Sequence, residues 1–160
     1  MKTIKTNLIV LLIPTLFLFV GCDSSTEPAP TSGTISGAVT FTGTWLTTGT
    51  VSISMQTAWP PVVAPYALKT IELTDLNSDV YSYNFENIAF GTYPAIVVSW
   101  QDPNDTNPAT NQHTLGAYGG VHPFFTNYGG TDPTAVTISA ENNEQLHLDF
   151  NAAWDFAVNQ

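Results

Sequence analysis

The sequence predicts an all-β fold, a seven- to eight-stranded antiparallel two-sheet sandwich. In several segments apolar and polar residues alternate with a period of two, as they do in strands that bury one face. Glycine, asparagine and aspartate separate these segments at short intervals, which is typical of turns between strands. The spacing of an amphipathic helix is absent between residues 33 and 151. Short strands joined by polar turns favour two packed sheets.

Eight segments carry the strand pattern. The alternation is clearest in four of them, residues 35–41, 51–56, 81–86 and 145–150. Residues 95–98 (Ala-Ile-Val-Val) are apolar on both faces, so we expect them in a central strand. Weaker patterns lie at residues 67–73, 114–118 and 135–139, and turns are expected at residues 43, 49, 75–79, 91 and 142–143.

Residues 1–21 have the layout of an export signal. Lys2 and Lys5 precede an apolar run over residues 8–20, which Pro14 interrupts. A membrane-spanning helix needs about 20 apolar residues, so this run is too short to span a bilayer stably. We therefore expect residues 1–21 to be cleaved, the alternative being an uncleaved anchor helix.

The run ends in Phe19-Val20-Gly21-Cys22, which resembles the lipobox of bacterial lipoproteins. The resemblance implies that Cys22 becomes the first residue of the mature protein and carries a diacylglyceryl group. Cys22 is the only cysteine of the chain, so it can form no internal disulfide. Because each buried methylene contributes about 0.8 kcal/mol, two or three acyl chains hold a protein on a membrane. We expect a protein of the bacterial cell envelope, anchored to the membrane through Cys22 and facing the periplasm or the cell surface.

The charge of the exported part limits its partners. Without residues 1–21, one lysine (Lys69) and no arginine stand against thirteen acidic residues, a net charge of about −12. Nucleic acid is not an expected partner, because nothing neutralises phosphates. Residues 22–32 are rich in Ser, Thr and Pro, and we interpret them as the lipidated cysteine and a flexible tether. Residues 33–160 then form the β-sandwich domain.

One segment resembles a known family. Residues 83–93 (Tyr-Asn-Phe-Glu-Asn-Ile-Ala-Phe-Gly-Thr-Tyr) are similar to the hairpin of prealbumin-like domains, the carboxypeptidase-regulatory-like and Cna-B-type modules. The glycine-flanked opening at residues 33–39 and the closing segments 136–138 and 146–150 also fit that family. The resemblance covers about residues 33–151 and implies a prealbumin-like sandwich. It implies little about function, since this fold supports many roles.

The sequence contains no pattern typical of a catalytic site. It has no HExxH, GxSxG or glycine-rich phosphate loop. His113 and His122 lie in or beside long loops, and His147 lies on the polar face of the last strand. We therefore expect no enzyme, although a hydrolase with paired carboxylates is a conceivable alternative.

One loop is a candidate calcium site. Asp102, Asn104 and Asp105 place hard oxygen ligands close together, as calcium requires. The spacing is not that of an EF-hand, and the same residue types form ordinary turns without an ion. We expect no cofactor, with calcium at these three residues as the alternative.

Tryptophans suggest a second kind of ligand. Trp45 and Trp100 lie at strand ends, where an indole ring can either stack on a sugar or cap the core. If every connection reverses the chain, one end gathers residues 45, 75–79, 100, 102–107 and 142–143. The tether end then gathers residues 59–61, 91, 119–133 and 154. We expect any binding site at the first of these ends, formed by Trp45, Trp100, Asp102, Asn104 and Asp105.

The sequence thus favours a lipid-anchored extracytoplasmic sandwich with a structural or adhesion-type role, binding a glycan or a protein. The alternative is a carbohydrate-binding lipoprotein that captures polysaccharide, with or without calcium. Residues 119–133, in which Tyr-Gly-Gly occurs at 118–120 and again at 128–130, form a long insertion without an assigned role.

Overall fold

The computed structural model describes residues 28–158 and is an all-β sandwich, which confirms the predicted fold class. The proposed export signal and Cys22 lie outside the described residues. Within residues 28–158, no helix is long and apolar enough to cross a membrane.

Ten strands and one short α-helix follow one another along the described chain. They are β1 (Ser32–Thr42), β2 (Thr50–Gln56), β3 (Ala67–Ile71), β4 (Val80–Ala89), β5 (Gly91–Tyr93), β6 (Ala95–Gln101), β7 (Gln112–Ala117), β8 (Val136–Ile138), β9 (Glu144–Gln145), β10 (Phe150–Ala153) and α1 (Asp155–Val158). All eight predicted strand segments contain a strand, and β5 and β9 are short additions.

Two four-stranded sheets form the layers. The first sheet has the order β10-β1-β4, with β9 also paired to β1, and the second sheet has the order β3-β2-β6-β7. A third, two-stranded sheet joins β5 to β8. The apolar segment at residues 95–98 lies in β6, a central strand of the second sheet, as predicted.

The strand pairs are antiparallel except at β1, where both β9 and β10 run parallel to their partner. This changes which loops share an end of the sandwich. The Trp154 amide donates to the Thr42 carbonyl oxygen (3.0 Å), and the Thr34 amide donates to the Asn143 carbonyl oxygen (2.8 Å). The predicted placement of these two regions is therefore wrong. Trp154 lies at the end of the sandwich where β1 finishes, which we call the far end. Residues 142–143 lie at the end where β1 begins, which we call the tether end.

The predicted strand at residues 145–150 is interrupted. His147 has a positive φ of 59°, so the chain kinks between β9 and β10. Leu148 and Phe150 are buried as the alternation predicts, but Leu146 is half exposed. A regular strand would require extended backbone throughout, and the left-handed residue removes it.

Residues 83–93 also differ from the expected hairpin. β4 pairs with β1, whereas β5 pairs with β8, so the chain at Phe90 crosses between sheets instead of folding back on β4. The Tyr93 hydroxyl donates to the Ala89 carbonyl oxygen (2.8 Å) and fixes this crossover. Burial, followed by the hydrogen bond and charge of Tyr66, raises the pKa of Tyr93 to about 12.

The main core lies between the two large sheets. Inward residues of β1, β2, β4 and β6 form one buried cluster, with Ile35, Ile53 and Val98 fully buried. The two large sheets also contact each other through their edge strands, β7 with β10 and β3 with β4. A Cβ at Gly116 of β7 would collide with the backbone of Asn151 in β10. On the opposite side the Lys69 Nζ donates to the Asn84 carbonyl oxygen.

Tyr83 is a buried residue of β4 that contacts the chain between β9 and β10. The Tyr83 hydroxyl donates to the Leu148 carbonyl oxygen (2.6 Å). Burial, with smaller contributions from Asp149 and Tyr118, raises the pKa of Tyr83 well above its ordinary value of 10.0. The neutral hydroxyl is thus the form that the fold stabilises.

Tyr83→Phe removes this donor from a buried carbonyl, so we expect the free energy of unfolding to fall by about 1–3 kcal/mol. In the native protein the contribution is complete below pH 10 and is lost above it, because unfolded Tyr83 ionises there while folded Tyr83 does not. Between pH 7 and pH 10.5 the free energy of unfolding of Tyr83→Phe should therefore fall less than that of the native protein. Urea unfolding at pH 7 and at pH 10.5 measures both effects. Tyr128→Phe, at an exposed position, is the control, and equal stability of both variants at both pH values would contradict the prediction.

Candidate functional site

A large concave surface lies on the outward face of the second sheet. We call it the outer groove. It has a volume of about 660 Å³, within the range of small-molecule sites. It is lined by Gln56, Val97, Ser99, Gln112 and Thr114 from the sheet and by Trp59, Pro61, Pro108, Ala109, His122, Pro123, Phe125 and Tyr128 from three loops.

The floor of the outer groove is polar but largely closed off from solvent. Gln56 and Ser99 of the lining, and Ser54 beside Gln56, are buried on the outward face of β2 and β6, where strand residues ordinarily meet water. The Gln56 Nε2 donates to the Ser54 Oγ (2.7 Å). Gln112 is exposed and Thr114 partly exposed, so amide and hydroxyl groups lie open to a ligand along β7.

Aromatic side chains form the wall at the tether end. The rings of Trp59 and Phe125 stack with centroids 5.3 Å apart and planes 15° apart. Tyr128 stands edge-on to Phe125 and is 79% exposed. The Trp59 Nε1 donates to the Phe124 carbonyl oxygen (3.1 Å), which ties the loop after β2 to the loop after β7. A second depression of about 470 Å³, lined in part by Asn127 and by Trp59, Phe125 and Tyr128, continues the surface past these rings.

A small apolar cluster holds the long loop in place. Phe124 packs on the outward side chains of Ala95, Val97 and Ala117 and is 3% exposed. His122 stacks on Phe156 of α1, with centroids 4.0 Å apart. The insertion at residues 119–133 therefore has a structural role, since it covers part of the second sheet and builds one wall of the outer groove.

The predicted site tryptophans lie together at the far end, but they face inward. Trp100 is 6% exposed, and its Nε1 donates to the Thr48 carbonyl oxygen (2.8 Å). Trp154 lies between Trp45 and Trp100, with ring centroids 5.1 Å and 6.3 Å away. This arrangement caps the core, which was one of the two interpretations of the tryptophans. Trp45 alone also lines an open depression, of about 310 Å³.

The three predicted calcium ligands lie in one loop and bind its own backbone. Oδ1 of Asp102 accepts from the Asn104 amide (2.8 Å), and Oδ1 of Asp105 accepts from the Asn107 amide (2.8 Å). Asp102 and Asp105 line a shallow depression of about 190 Å³, whereas Asn104 does not. Between residues 28 and 158, no three His, Cys, Asp or Glu side chains are close enough to hold a metal ion together. Calcium at this loop stays a prediction.

Of the three predicted calcium ligands, Asp105 accepts the most hydrogen bonds. The Thr110 hydroxyl donates to its Oδ2 (2.6 Å). This bond, the bond from the Asn107 amide and the nearby His113 lower the pKa of Asp105, while desolvation opposes them. The ionised carboxylate thus organises the turn through these hydrogen bonds.

The outer groove was not predicted from the sequence, although two signals pointed to it. Ala95 and Val97 put apolar side chains on the outward face of β6, which requires a cover. The insertion at residues 119–133 contains Phe124 and Phe125, which can supply that cover. Their meeting with Trp59 depends on loop conformation, which alternation does not specify.

Thr110→Val removes the main cause of the low Asp105 pKa, so this pKa should rise toward its ordinary value of 3.8. The stabilisation due to Asp105 is present above that ordinary pKa and is lost as the pH falls through the lower folded value. Carboxyl NMR titration measures the shift. Thr106→Val, in the same loop and exposed, is the control and should leave the titration unchanged. An identical Asp105 titration in native protein and Thr110→Val would show that the hydroxyl does not set the pKa.

The chain matches no protein-family model, no curated protein and no solved structure. The sandwich fold and the outer groove are therefore established by the structure alone, and the prealbumin-like and lipoprotein assignments stay proposals.

Proposed function

We propose that this protein is a lipid-anchored module of the bacterial cell envelope that binds a neutral carbohydrate in the outer groove and performs no catalysis. The observation that carries the proposal is the combination of an amide- and hydroxyl-bearing floor with a wall of aromatic rings. Sugars present hydroxyl groups at their rims and C–H groups on their faces, so both kinds of surface find a complement.

The lining of the outer groove favours an uncharged ligand. None of its thirteen described side chains is Asp, Glu, Lys or Arg. The mature chain has a net charge of about −12, which would repel an acidic polysaccharide at long range. The Gln112 and Thr114 side chains can exchange hydrogen bonds with hydroxyls without the cost of desolvating an ion.

The glycan site proposed here lies on the side of the sandwich, whereas the sequence led us to expect it at the far end. At the far end Trp100 is buried, so its ring offers little surface for stacking. In the outer groove Tyr128 is 79% exposed and Phe125 is partly exposed. The outer groove therefore exposes two rings to a ligand, whereas of the two predicted tryptophans only Trp45 lines an open depression.

Anchorage and family membership belong to the same proposal. The lipobox-like Phe19-Val20-Gly21-Cys22 and the single cysteine support lipidation at Cys22. Gly33 and Gly37 in β1 and the two-sheet layout support a prealbumin-like module. A structural or adhesion-type role without a small ligand is the competing function, and it differs by expecting no saccharide binding.

Tyr128→Ala should weaken binding of a neutral oligosaccharide about tenfold, because it removes an exposed ring worth about 1.4 kcal/mol. Gln112→Ala should weaken it by a similar factor through lost hydrogen bonds. A glycan array identifies the oligosaccharide, and calorimetry measures the affinity of each variant.

Phe90→Ala is the matched control, since it removes a partly exposed ring outside the groove and should leave the affinity unchanged. Asp102→Ala and Asp105→Ala test the far end in the same assay, with and without calcium. Loss of binding only in these two variants would place the site at the far end. Native protein that binds no saccharide would favour the structural role.

Cys22→Ala should give an unprocessed or freely soluble protein, because the thioether cannot form. Membrane fractionation and intact mass spectrometry measure this, with Ser25→Ala as a control that should be lipidated normally. A Cys22→Ala protein that is still membrane-bound and of mature size would contradict the anchor.

A further inference from the structure

The outer groove continues into a depression of about 390 Å³ that the loop after β2 forms over the outward face of the second sheet. Val62, Val63 and Leu68 lie in its lining, so we call it the valine flank. Gln56 and Gln112 line both the outer groove and the valine flank. The two depressions are therefore parts of one continuous surface.

A second extension of the outer groove opens past the aromatic wall. Trp59, Phe125 and Tyr128 line both the groove and the depression of about 470 Å³ beyond these rings, which we call the tyrosine flank. Among the described residues, the valine flank and the tyrosine flank have no lining residue in common. The two flanks therefore open from the outer groove at different places, and the groove is the middle part of a track of three depressions.

Strand pairing shows how this track crosses the second sheet. Leu68 of β3 pairs with Ser54 of β2, and Ser54 pairs with Val97 of β6. These residues form a row on the outward face across two strand spacings, about 10 Å. Next to Val97 the face is covered by the loop after β7, which carries Phe125 and Tyr128. The track thus joins β3, at one edge of the sheet, to the loop that follows β7, at the other edge.

The size and exposure of the track favour a ligand longer than one small molecule. The outer groove has about 660 Å³, and with its two flanks it exceeds the roughly 1,000 Å³ that bounds pockets for single small molecules. Both flanks are open to solvent, since Val62 and Tyr128 are each 79% exposed and Leu68 is 53% exposed. A chain that lies in the groove can therefore continue over either flank.

The chemistry of the track suits a neutral sugar polymer. The valine flank offers aliphatic side chains and the tyrosine flank aromatic rings, whereas Gln112 and Thr114 place amide and hydroxyl groups between them. None of the described side chains that line the valine flank is Asp, Glu, Lys or Arg. The tyrosine flank contains one carboxylate, Asp132, which accepts from the Thr126 amide (3.0 Å). Sugar C–H faces can pack on the apolar flanks while hydroxyl groups reach the polar middle.

We propose that the outer groove binds an internal segment of a neutral polysaccharide, whose neighbouring sugar units lie on the valine flank and the tyrosine flank. The inference rests on the carbohydrate-binding function proposed above and specifies the length of the ligand. Each of the three depressions is larger than the roughly 300 Å³ at which small-molecule sites begin, so the segment has at least three consecutive units.

Calorimetry with oligosaccharides of two and of six units tests the length of the site. The probes are the neutral malto-, cello-, xylo- and manno-oligosaccharides, and the protein is the full mature chain in a polyoxyethylene detergent, which carries no sugar. In the series that binds, we expect a Kd at least about thirtyfold lower for the hexasaccharide than for the disaccharide. Equal affinities would overturn this inference but leave the carbohydrate-binding function intact. Absence of binding in all four series would overturn both.

Leu68→Thr tests the valine flank, because it removes aliphatic surface and keeps a strand-forming residue. It should weaken hexasaccharide binding about threefold or more and leave disaccharide binding unchanged. Leu73→Thr is the matched control, since Leu73 is 54% exposed and lies outside the three depressions. Val62→Ser, in a loop, repeats the test without altering a strand. Unchanged hexasaccharide affinity in both Leu68→Thr and Val62→Ser would overturn the inference.

Competition by a water-soluble polysaccharide of the same linkage distinguishes an internal segment from a chain end. If internal segments bind, the polymer should displace the hexasaccharide about equally well at equal mass concentration, because every stretch of the chain is a ligand. If only chain ends bind, the polymer should compete more weakly in proportion to its length, and that result would overturn the inference.

Discussion

The packing of Phe124 on the outward face of β6 is the constraint on which the candidate site depends. A strand in a two-layer sandwich ordinarily buries one face, but Ala95 and Val97 make the second face of β6 apolar as well. Covering it requires a segment long enough to leave the sheet and return, and residues 118–134 provide one. Once Phe124 is buried, Phe125 and Tyr128 are held beside Trp59, and the outer groove is the space left between this cover and the rest of the sheet.

The same covering loops also explain why polar side chains are buried at the floor of the outer groove. Ser54, Gln56 and Ser99 occupy positions that alternation assigns to solvent, and their polarity is typical of an exposed face. Loops from three parts of the chain lie over this face and remove most of that solvent. Buried polar groups then need partners, which Gln56 and Ser54 supply to each other. A ligand with hydroxyl groups can supply partners to those that remain open.

Strand positions were predictable from the sequence because alternation marks the side chains that face the core, as it does in β1 and β4. Strand pairing was less predictable. Whether the last segment runs parallel or antiparallel to β1 depends on the path of the preceding loop, and His147 in a left-handed conformation leaves no periodic signal. For the same reason Trp154 was assigned to the wrong end. The orientation of the tryptophans was not predictable for a related reason. A ring at a strand end can cap the core or face solvent, depending on which residues surround it. Phe41 and Trp154 pack against Trp45 and hold it against the core.

The two ends of the sandwich differ because their loops differ in kind. At the far end, Asx turns such as Asp105 with Asn107 and Thr110 satisfy the backbone internally and keep ionised carboxylates in water. At the tether end, loops rich in Pro, Gly and aromatic residues form their contacts through rings, as Tyr66 does with Tyr93 at 4.9 Å. Charged turns favour water, whereas loops that expose Val62 and Val121 gain by leaving it. The loops of the second kind also supply the aromatic wall of the outer groove, since Trp59, Phe125 and Tyr128 all lie in them.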